Sequence, residues 1–326
     1  MNQINFFQRR EFGELVGVAF QFAKQNFLHY FINILLLNLP VIALLIGGAM
    51  YVFQDSSLEV LASSIRFGGA AAVLGFILFF SAFVLLWVSY NSAITYNYYL
   101  LYIEKGAKKF SLQDLFSAAM GSMFSLLVAN LILGAIVSAS VVIIGMILGV
   151  LGRLGVLIGF VLLFFGINYA VRIAFYPLII VREKLNVFAA ITRSFSIING
   201  HWWQTFGLFF VFGVIDFGLF FGLFFVFGVI NYLISNIINT ILSIFGIKIF
   251  DATIFMGKEI PQIGTVTIVV FAIVQVITSV LSNMFSQTAL FAQYGNLLEE
   301  KEGVGLKGKV EQIGKTTDNE NDEEDF

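Results

Sequence analysis

Long apolar runs alternate along the chain with short clusters of charged residues. The runs that contain no charged side chain are residues 25–54, 67–103, 115–152, 154–171, 194–215, 217–247 and 260–298. A helix needs about 20 apolar residues to cross the roughly 30 Å of hydrocarbon in a bilayer. Cutting the runs at loop signals predicts six membrane-spanning helices, at residues 28–53, 70–102, 123–150, 155–181, 203–233 and 264–296. The predicted fold class is therefore all-α, a polytopic membrane helical bundle.

A segment with helical periodicity precedes every second predicted span. These segments are residues 11–26, 111–122 and 185–200, and each has apolar side chains on one face and polar side chains on the other. Such a helix can lie in the plane of the headgroups with its apolar face towards the hydrocarbon. The pattern predicts three interfacial amphipathic helices. The order of in-plane helix, outward span and returning span is consistent with a threefold repeat of hairpins.

Composition excludes several classes of protein. Of the 326 residues, 59% are hydrophobic and 12% are charged, whereas an average soluble domain has about 25% charged residues. This excludes a soluble enzyme, a disordered chain and a protein that binds nucleic acid through a basic face. The chain has no cysteine, which excludes a disulfide framework and a thiolate metal site.

The distribution of Lys and Arg predicts the orientation of the spans, because short cytoplasmic loops are enriched in these residues. With six spans and a cytoplasmic N-terminus, thirteen of the 18 Lys and Arg residues fall in cytoplasmic segments and four in outer segments. We expect both termini in the cytoplasm. Region 203–247 is long enough for two short helices, but a seventh span would put the four lysines of the tail outside, so six spans are predicted. Residues 234–250 are either interfacial or re-entrant.

The spans divide the chain into three parts. Residues 1–27 form a cytoplasmic N-terminus with an interfacial helix, residues 28–298 form the membrane domain, and residues 299–326 form a cytoplasmic, largely disordered tail. Six acidic residues lie between Asp318 and Asp325. Blocks of like charge are often interaction tails, so segment 318–326 is a candidate site for a protein partner, with simple solvation of the terminus as the alternative.

Arg172 and Asp216 are the two charged residues well inside predicted spans. Charges in a bilayer are costly and are usually paired or line a cavity. A buried ion pair that fixes the register of two helices is the favoured interpretation. A proton or ion relay, and independent contacts with headgroups or a water pocket, are the alternatives.

The last predicted span has a stripe of polar residues at helical spacing. Its candidate residues are Gln275, Thr278, Ser279, Ser282, Asn283 and Ser286, and the stripe continues to Gln287 and Gln293. The stripe predicts hydrogen bonds between helices, with an aqueous path as the alternative.

The end of the second predicted span, from Tyr90 to Tyr102, predicts an aromatic belt at the membrane interface.

Two pairs of glycines predict close helix packing. Gly145 and Gly149 form one GxxxG step, and Gly218 and Gly222 form another. Glycines four residues apart lie on one helix face and let two backbones approach closely. Packing within the chain is favoured over dimerisation.

No constellation of catalytic residues is present in the sequence. His29 and His201 stand alone, and we find no GxSxG motif, HExxH motif or pair of carboxylates at a catalytic spacing. We therefore expect no enzymatic activity, no cofactor, no metal site and no nucleic-acid partner.

Two segments resemble a known family. In 176–206 a proline late in a span precedes Glu183 at the membrane exit. An A-x-x-x-S step then links Ala190 to Ser194, and a G-x-W-W sequence begins the next span. Together with the charged exit at 289–303, this resembles the membrane domain attached to some bacterial glycerophosphodiester phosphodiesterases and its stand-alone relatives. In those enzymes a separate soluble barrel performs catalysis, so the resemblance implies no catalytic residue here.

The sequence therefore favours a non-enzymatic, multi-pass protein of the bacterial cytoplasmic (inner) membrane. We expect it to bind partners or organise membrane lipids, through its interfacial helices and its acidic tail. The alternative is a transporter or channel that uses Asp216, Arg172 and the polar face of the last span.

Overall fold

The computed structural model describes residues 3–52, 55–244 and 265–304, and within these ranges it has no strand. The helices are α1 (Phe12–Val52), α2 (Asp55–Lys105), α3 (Leu112–Leu151), α4 (Arg153–Arg172), α5 (Tyr176–Glu183), α6 (Val187–Ile198), α7 (Trp202–Ile244) and α8 (Thr265–Glu302). The predicted all-α fold class is confirmed. The acidic tail 318–326 lies outside the described residues.

Five stretches of the described chain are helical, long and apolar enough to cross a membrane. They are Phe12–Leu44, Ile77–Lys105, Leu112–Leu151, Arg153–Glu183 and Trp202–Ile230. The chain is therefore a helical membrane protein. The predicted sixth span, 264–296, coincides with helix α8 but is not among the five, so its crossing of the membrane stays a prediction.

Two of the three predicted interfacial helices are continuous with the span that follows them. Segment 11–26 is the start of α1 and segment 111–122 is the start of α3, whereas segment 185–200 contains the separate helix α6. Neither glycine nor proline lies between Gln25 and Tyr30 to end the first segment. By contrast, α6 has its own cap, where Asn186 Oδ1 accepts a hydrogen bond from Ala189 N, and it is followed by Gly200 in a left-handed conformation with φ of 88°.

Helix α7 is one continuous helix from Trp202 to Ile244. Its 43 residues correspond to about 65 Å at 1.5 Å per residue, which is about twice the hydrocarbon thickness. The described part of region 203–247 therefore does not form two short helices. Residues 245–250 lie outside the described residues.

The described helices form two compact units. Unit 1 contains residues 3–30, 84–211 and 284–304, and unit 2 contains residues 31–52, 55–83, 212–244 and 265–283. Unit 1 has a closely packed aromatic core, which we define as the buried side chains of Phe6, Phe22, Tyr30, Tyr98, Tyr99, Tyr102 and Phe291. Their rings meet mostly edge to face or tilted, as at Phe6 and Phe291, whose centroids are 5.0 Å apart.

The structure buries tyrosines that the sequence analysis assigned to the membrane interface. Residues Tyr90 to Tyr102 are typical of an aromatic belt at the membrane interface, but Tyr98, Tyr99 and Tyr102 are fully buried in unit 1. The belt interpretation is wrong for these three residues, because the segment before α1 covers them. Tyr102 accepts a hydrogen bond from Ile4 N at 3.0 Å, and Phe6 packs against Tyr99 and Tyr102.

The segment before α1 lies directly on helix α8. Arg10 N donates a hydrogen bond of 2.8 Å to Asn296 Oδ1, and a Cβ added to Gly295 would overlap the backbone carbonyl of Phe6. The glycine permits this close approach of two backbones. The N-terminus is thus part of the unit 1 core, which the sequence did not reveal.

Candidate functional site

A break separates helices α4 and α5, which together correspond to the predicted fourth span, 155–181. Pro177 follows the first residue of α5 and has no amide hydrogen to donate to the carbonyl of Ile173, and a proline ring clashes with a carbonyl at that position of a helix. Ser194 of α6 satisfies the backbone at the break. Its hydroxyl donates to Arg172 O at 2.7 Å and accepts from Phe175 N at 3.2 Å.

Arg172 is the last residue of α4, and the apolar stretch Arg153–Glu183 continues beyond it through the break and α5. Helix α4 has 20 residues and begins at Arg153, so it is about 30 Å long at 1.5 Å per residue. That length matches the hydrocarbon thickness of a bilayer. The two arginines therefore mark the two ends of α4, which forms the first part of the apolar stretch Arg153–Glu183.

The side chain of Arg172 lies among polar and aromatic groups of α4, α6 and α7. Its Nε donates a hydrogen bond of 2.9 Å to Asn168 Oδ1, and its guanidinium lies 5.9 Å from the ring centroid of Phe195. Trp202, the first residue of α7, donates from Nε1 to the backbone oxygen of Asn168 at 3.3 Å. Arg172 thus lies level with the start of α7.

An ion network connects α5, α6 and the end of α8. We define it as Glu183, Arg193 and Glu302, since Arg193 lies 3.2 Å from Glu183 and 2.5 Å from Glu302. Tyr294 donates a hydrogen bond to the second oxygen of Glu183 at 2.5 Å. Each member is partly exposed, so the network lies at the surface of unit 1 and joins the two segments on which the family resemblance rests.

Lys301 adds to the attachment of the end of α8. Its Nζ donates to the backbone oxygens of Ser196 at 2.6 Å and Asn199 at 2.9 Å, and desolvation by burial lowers the pKa of this lysine. Glu300 lies 3.1 Å from His201 Nε2. The carboxyl end of α8 is therefore fixed to the turn between α6 and α7.

Asp216 lies in α7 and belongs to unit 2. It is fourteen residues after Trp202, about 21 Å along the helix axis. Its Oδ1 is buried and has no hydrogen-bond partner within the described residues. Arg172 and Asp216 belong to different units, so the predicted pair between them stays a prediction.

The polar stripe of the last span is used in two ways. Thr278 and Ser279 donate to backbone oxygens of their own helix, at Val274 and Val276, both at 2.8 Å. Further along, Gln287 accepts from Tyr96 at 3.0 Å and Gln293 donates to Thr205 at 3.3 Å. Bonds between helices are thus made by the continuation of the stripe. Ser282 is a hydrogen-bond partner of the Asp216 carboxyl in α7, which is also a bond between helices. For Gln275, Asn283 and Ser286 neither alternative is established.

The four predicted packing glycines lie in open space. A Cβ added to Gly145, Gly149, Gly218 or Gly222 would meet no atom of the described chain within 4 Å. Close approach instead occurs at Gly155, where an added Cβ would overlap the backbone oxygen of Leu148. Packing within the chain is thus not confirmed at the predicted pairs. The α3–α4 turn brings Gly155, rather than Gly145 or Gly149, against a neighbouring backbone.

Over residues 3–52, 55–244 and 265–304, no three His, Cys, Asp or Glu side chains form a group that could hold a metal ion. The chain matches no family model, no curated protein and no solved structure in the comparisons made with known proteins. The class of the protein is therefore defined by its fold alone, as a helical membrane protein.

Proposed function

We propose that this chain is a non-enzymatic scaffold of the bacterial cytoplasmic membrane that binds partners and organises lipid. The observation that carries the proposal is the attachment of the end of α8. Arg193 and the backbone oxygens of Ser196 and Asn199 bind Glu302 and Lys301, at the start of the predicted tail 299–326. A partner that binds segment 318–326 would thus be held close to a fixed part of unit 1.

The proposal places both termini in the cytoplasm and has six spans. It is supported by the excess of Lys and Arg in every second loop, and five of the six proposed spans coincide with stretches long and apolar enough to cross a membrane. The same topology puts the ion network and the tail on the cytoplasmic side, where soluble partners can reach both.

We also propose that the chain is a stand-alone relative of the membrane domain of bacterial glycerophosphodiester phosphodiesterases. The motif residues of that resemblance have structural roles that support it. Ser194 bonds the break between α4 and α5, Glu183 binds Arg193, and Trp202 binds the backbone of Asn168.

Site-specific crosslinking in cells tests the scaffold function. A photoreactive amino acid at Asn321 in the tail should give discrete protein adducts. Adducts should be lost when the six acidic residues between Asp318 and Asp325 are replaced by their amides, because a partner that recognises this segment would recognise its charge.

A matched control uses the same photoreactive group at Trp203, which is 73% exposed at the start of α7. Its adduct pattern should not change with the amide tail. If the tail gives no adducts and the purified protein runs alone, the scaffold proposal is contradicted.

A transporter or channel is the second candidate, and the buried Oδ1 of Asp216 favours it. A carboxyl oxygen without a partner in an apolar helix is costly unless it binds a proton or a cation. In liposomes, a proton flux that is lost in Asp216→Asn and retained in Asp114→Asn would support this function. Asp114 is suitable as the control because it lies at the start of α3, in a capping box with Ser111. No flux from a folded, correctly oriented protein would exclude proton transport.

A further inference from the structure

Arg172 has hydrogen-bonding capacity that unit 1 does not use. A guanidinium has five N–H donors, and the hydrogen bond from Nε to Asn168 is the side chain's one hydrogen bond within the described residues. None of the ion pairs of unit 1 includes Arg172. Both terminal nitrogens thus remain available for an acceptor.

The position of the guanidinium is fixed by its neighbours. Asn168 holds Nε, and the ring of Phe195 lies 5.9 Å from the guanidinium carbon. Tyr169 packs on Phe195 with a centroid distance of 5.5 Å, and Asn168 is itself held by Trp202. Because Nε is occupied, the two terminal nitrogens form the edge that is open to a ligand.

The surroundings indicate where this ligand comes from. Arg172 ends α4, and its neighbour Asn168 binds Trp202, the first residue of the apolar stretch Trp202–Ile230. The ends of a membrane-spanning stretch lie at the depth where lipid headgroups begin. Tyr169 and Trp203 are 44% and 73% exposed, and exposed Tyr and Trp side chains are typical of the membrane interface. An arginine presents its terminal N–H groups in a geometry that fits two oxygens of a phosphate.

We propose that Arg172, supported by Asn168 and Phe195, binds the phosphate of an anionic membrane phospholipid. The terminal nitrogens donate two hydrogen bonds to phosphate oxygens, while the exposed rings of Tyr169 and Trp203 lie against the glycerol and the first carbons of the acyl chains. This site rests on the lipid-organising part of the proposed function and specifies which lipid group the protein binds. It does not depend on the tail.

Native mass spectrometry of the full-length protein in a mild detergent tests the site. The probes are phosphatidylglycerol and a diacylglycerol with the same acyl chains, which lacks the phosphate. We expect Arg172→Gln to weaken binding of the first phosphatidylglycerol roughly tenfold, because charge-assisted hydrogen bonds of this kind are lost. Binding of diacylglycerol should be unchanged.

Arg153→Gln is the matched control, since Arg153 is the exposed first residue of the same helix. It should leave the first phosphatidylglycerol bound. Asn168→Leu removes the support of Nε and should weaken binding by a smaller factor. This variant keeps the test decisive if Arg172→Gln does not fold.

Three outcomes would overturn the proposal. Equal binding of phosphatidylglycerol by the wild-type protein and both Arg172→Gln and Asn168→Leu would show that the site does not hold the lipid. An equal loss of phosphatidylglycerol binding in Arg153→Gln would show that the lipid is attracted by positive charge in general and not by a defined site at Arg172. Displacement of the lipid by millimolar inorganic phosphate would assign the site to free phosphate. The tail crosslinks are independent of all three outcomes, so failure here is distinguishable from failure of the scaffold function.

Discussion

Ser194 stabilises the break between α4 and α5 through one hydroxyl. The side chain is fully buried, donates to Arg172 O and accepts from Phe175 N. Alanine would leave the buried Phe175 N and the partly buried Arg172 O without a partner, and we expect Ser194→Ala to lower the free energy of unfolding by about 1–3 kcal/mol. Equilibrium unfolding in mixed micelles measures this loss.

Ser196 provides the control for that measurement. It lies on the same helix, is exposed, and bonds to the backbone oxygen of Arg193 in its own helix at 2.8 Å. Ser196→Ala should change stability by less than about 0.5 kcal/mol. Equal losses in the two variants would mean that Ser194 has no special role at the break.

Gly295 is required where two backbones meet. A Cβ at this position would overlap the carbonyl of Phe6, so Gly295→Ala must displace the N-terminal segment from α8. We expect a loss of about 1–3 kcal/mol, which is typical of overpacking, measured as a lower midpoint of thermal unfolding. Gly121→Ala in α3 meets no atom within 4 Å and should be neutral or stabilising. A Gly295→Ala protein as stable as the Gly121→Ala protein would contradict the close approach.

Single residues were predictable from the sequence only where their role is local. The cap of α6 at Asn186 and the glycine at 200 follow from short-range rules. Gly295 and Phe6 are almost 290 positions apart, and no pattern within either segment reports their contact. The tyrosines of α2 were assigned to the interface because hydropathy cannot distinguish a ring that faces headgroups from one covered by the N-terminus.

Helix α6 and the end of α8 are joined by Arg193, which binds two carboxylates at once. We expect Arg193→Gln to lower stability by more than Glu183→Gln, because it removes both pairs. A double-mutant cycle of Arg193→Gln and Glu183→Gln should give a coupling energy of at least about 0.5 kcal/mol. A cycle of Arg193→Gln with Asp114→Asn, whose carboxylate pairs with Lys105 instead, is the control and should give none. Coupling energies near zero in both cycles would show that the ion network contributes no measurable stability, as is common for ion pairs exposed to solvent.

Helices were more predictable than their ends. Apolar length located all the spans that the structure describes, since it depends only on composition over about 20 residues. The break at Ile173–Phe175 depends on Pro177 together with Ser194, seventeen positions later, so the sequence did not reveal that the helix inside the predicted span 155–181 is interrupted. Conversely, amphipathicity in 11–26 and 111–122 does not end a helix, and both segments continue into α1 and α3.

The continuity of α7 bears on the topology of the whole chain. A hairpin within 203–244 would have added a seventh span and moved the tail to the outside, but α7 is a single helix over these residues. Because the chain has no cysteine, single-cysteine variants can be labelled without background. We expect Gln113→Cys and Thr316→Cys to be protected from a membrane-impermeant maleimide in intact spheroplasts and to react after permeabilisation. Ser57→Cys should react in both conditions.

The three positions together test the number of spans as well as their direction. Five crossings separate Ser57 from Thr316 in the six-span topology, so the two cysteines must lie on opposite sides. If both react in intact spheroplasts, one crossing after residue 57 is absent or added. If Gln113→Cys is also protected in that case, the error lies after residue 113. Helix α8 is then the one to re-examine, because it is not among the five stretches of the described chain that are long and apolar enough to cross a membrane. If Gln113→Cys and Thr316→Cys react in intact spheroplasts and Ser57→Cys is protected, the orientation of the protein in the membrane is the reverse of the one proposed. The tail would then lie outside the cell, and no cytoplasmic partner could reach it.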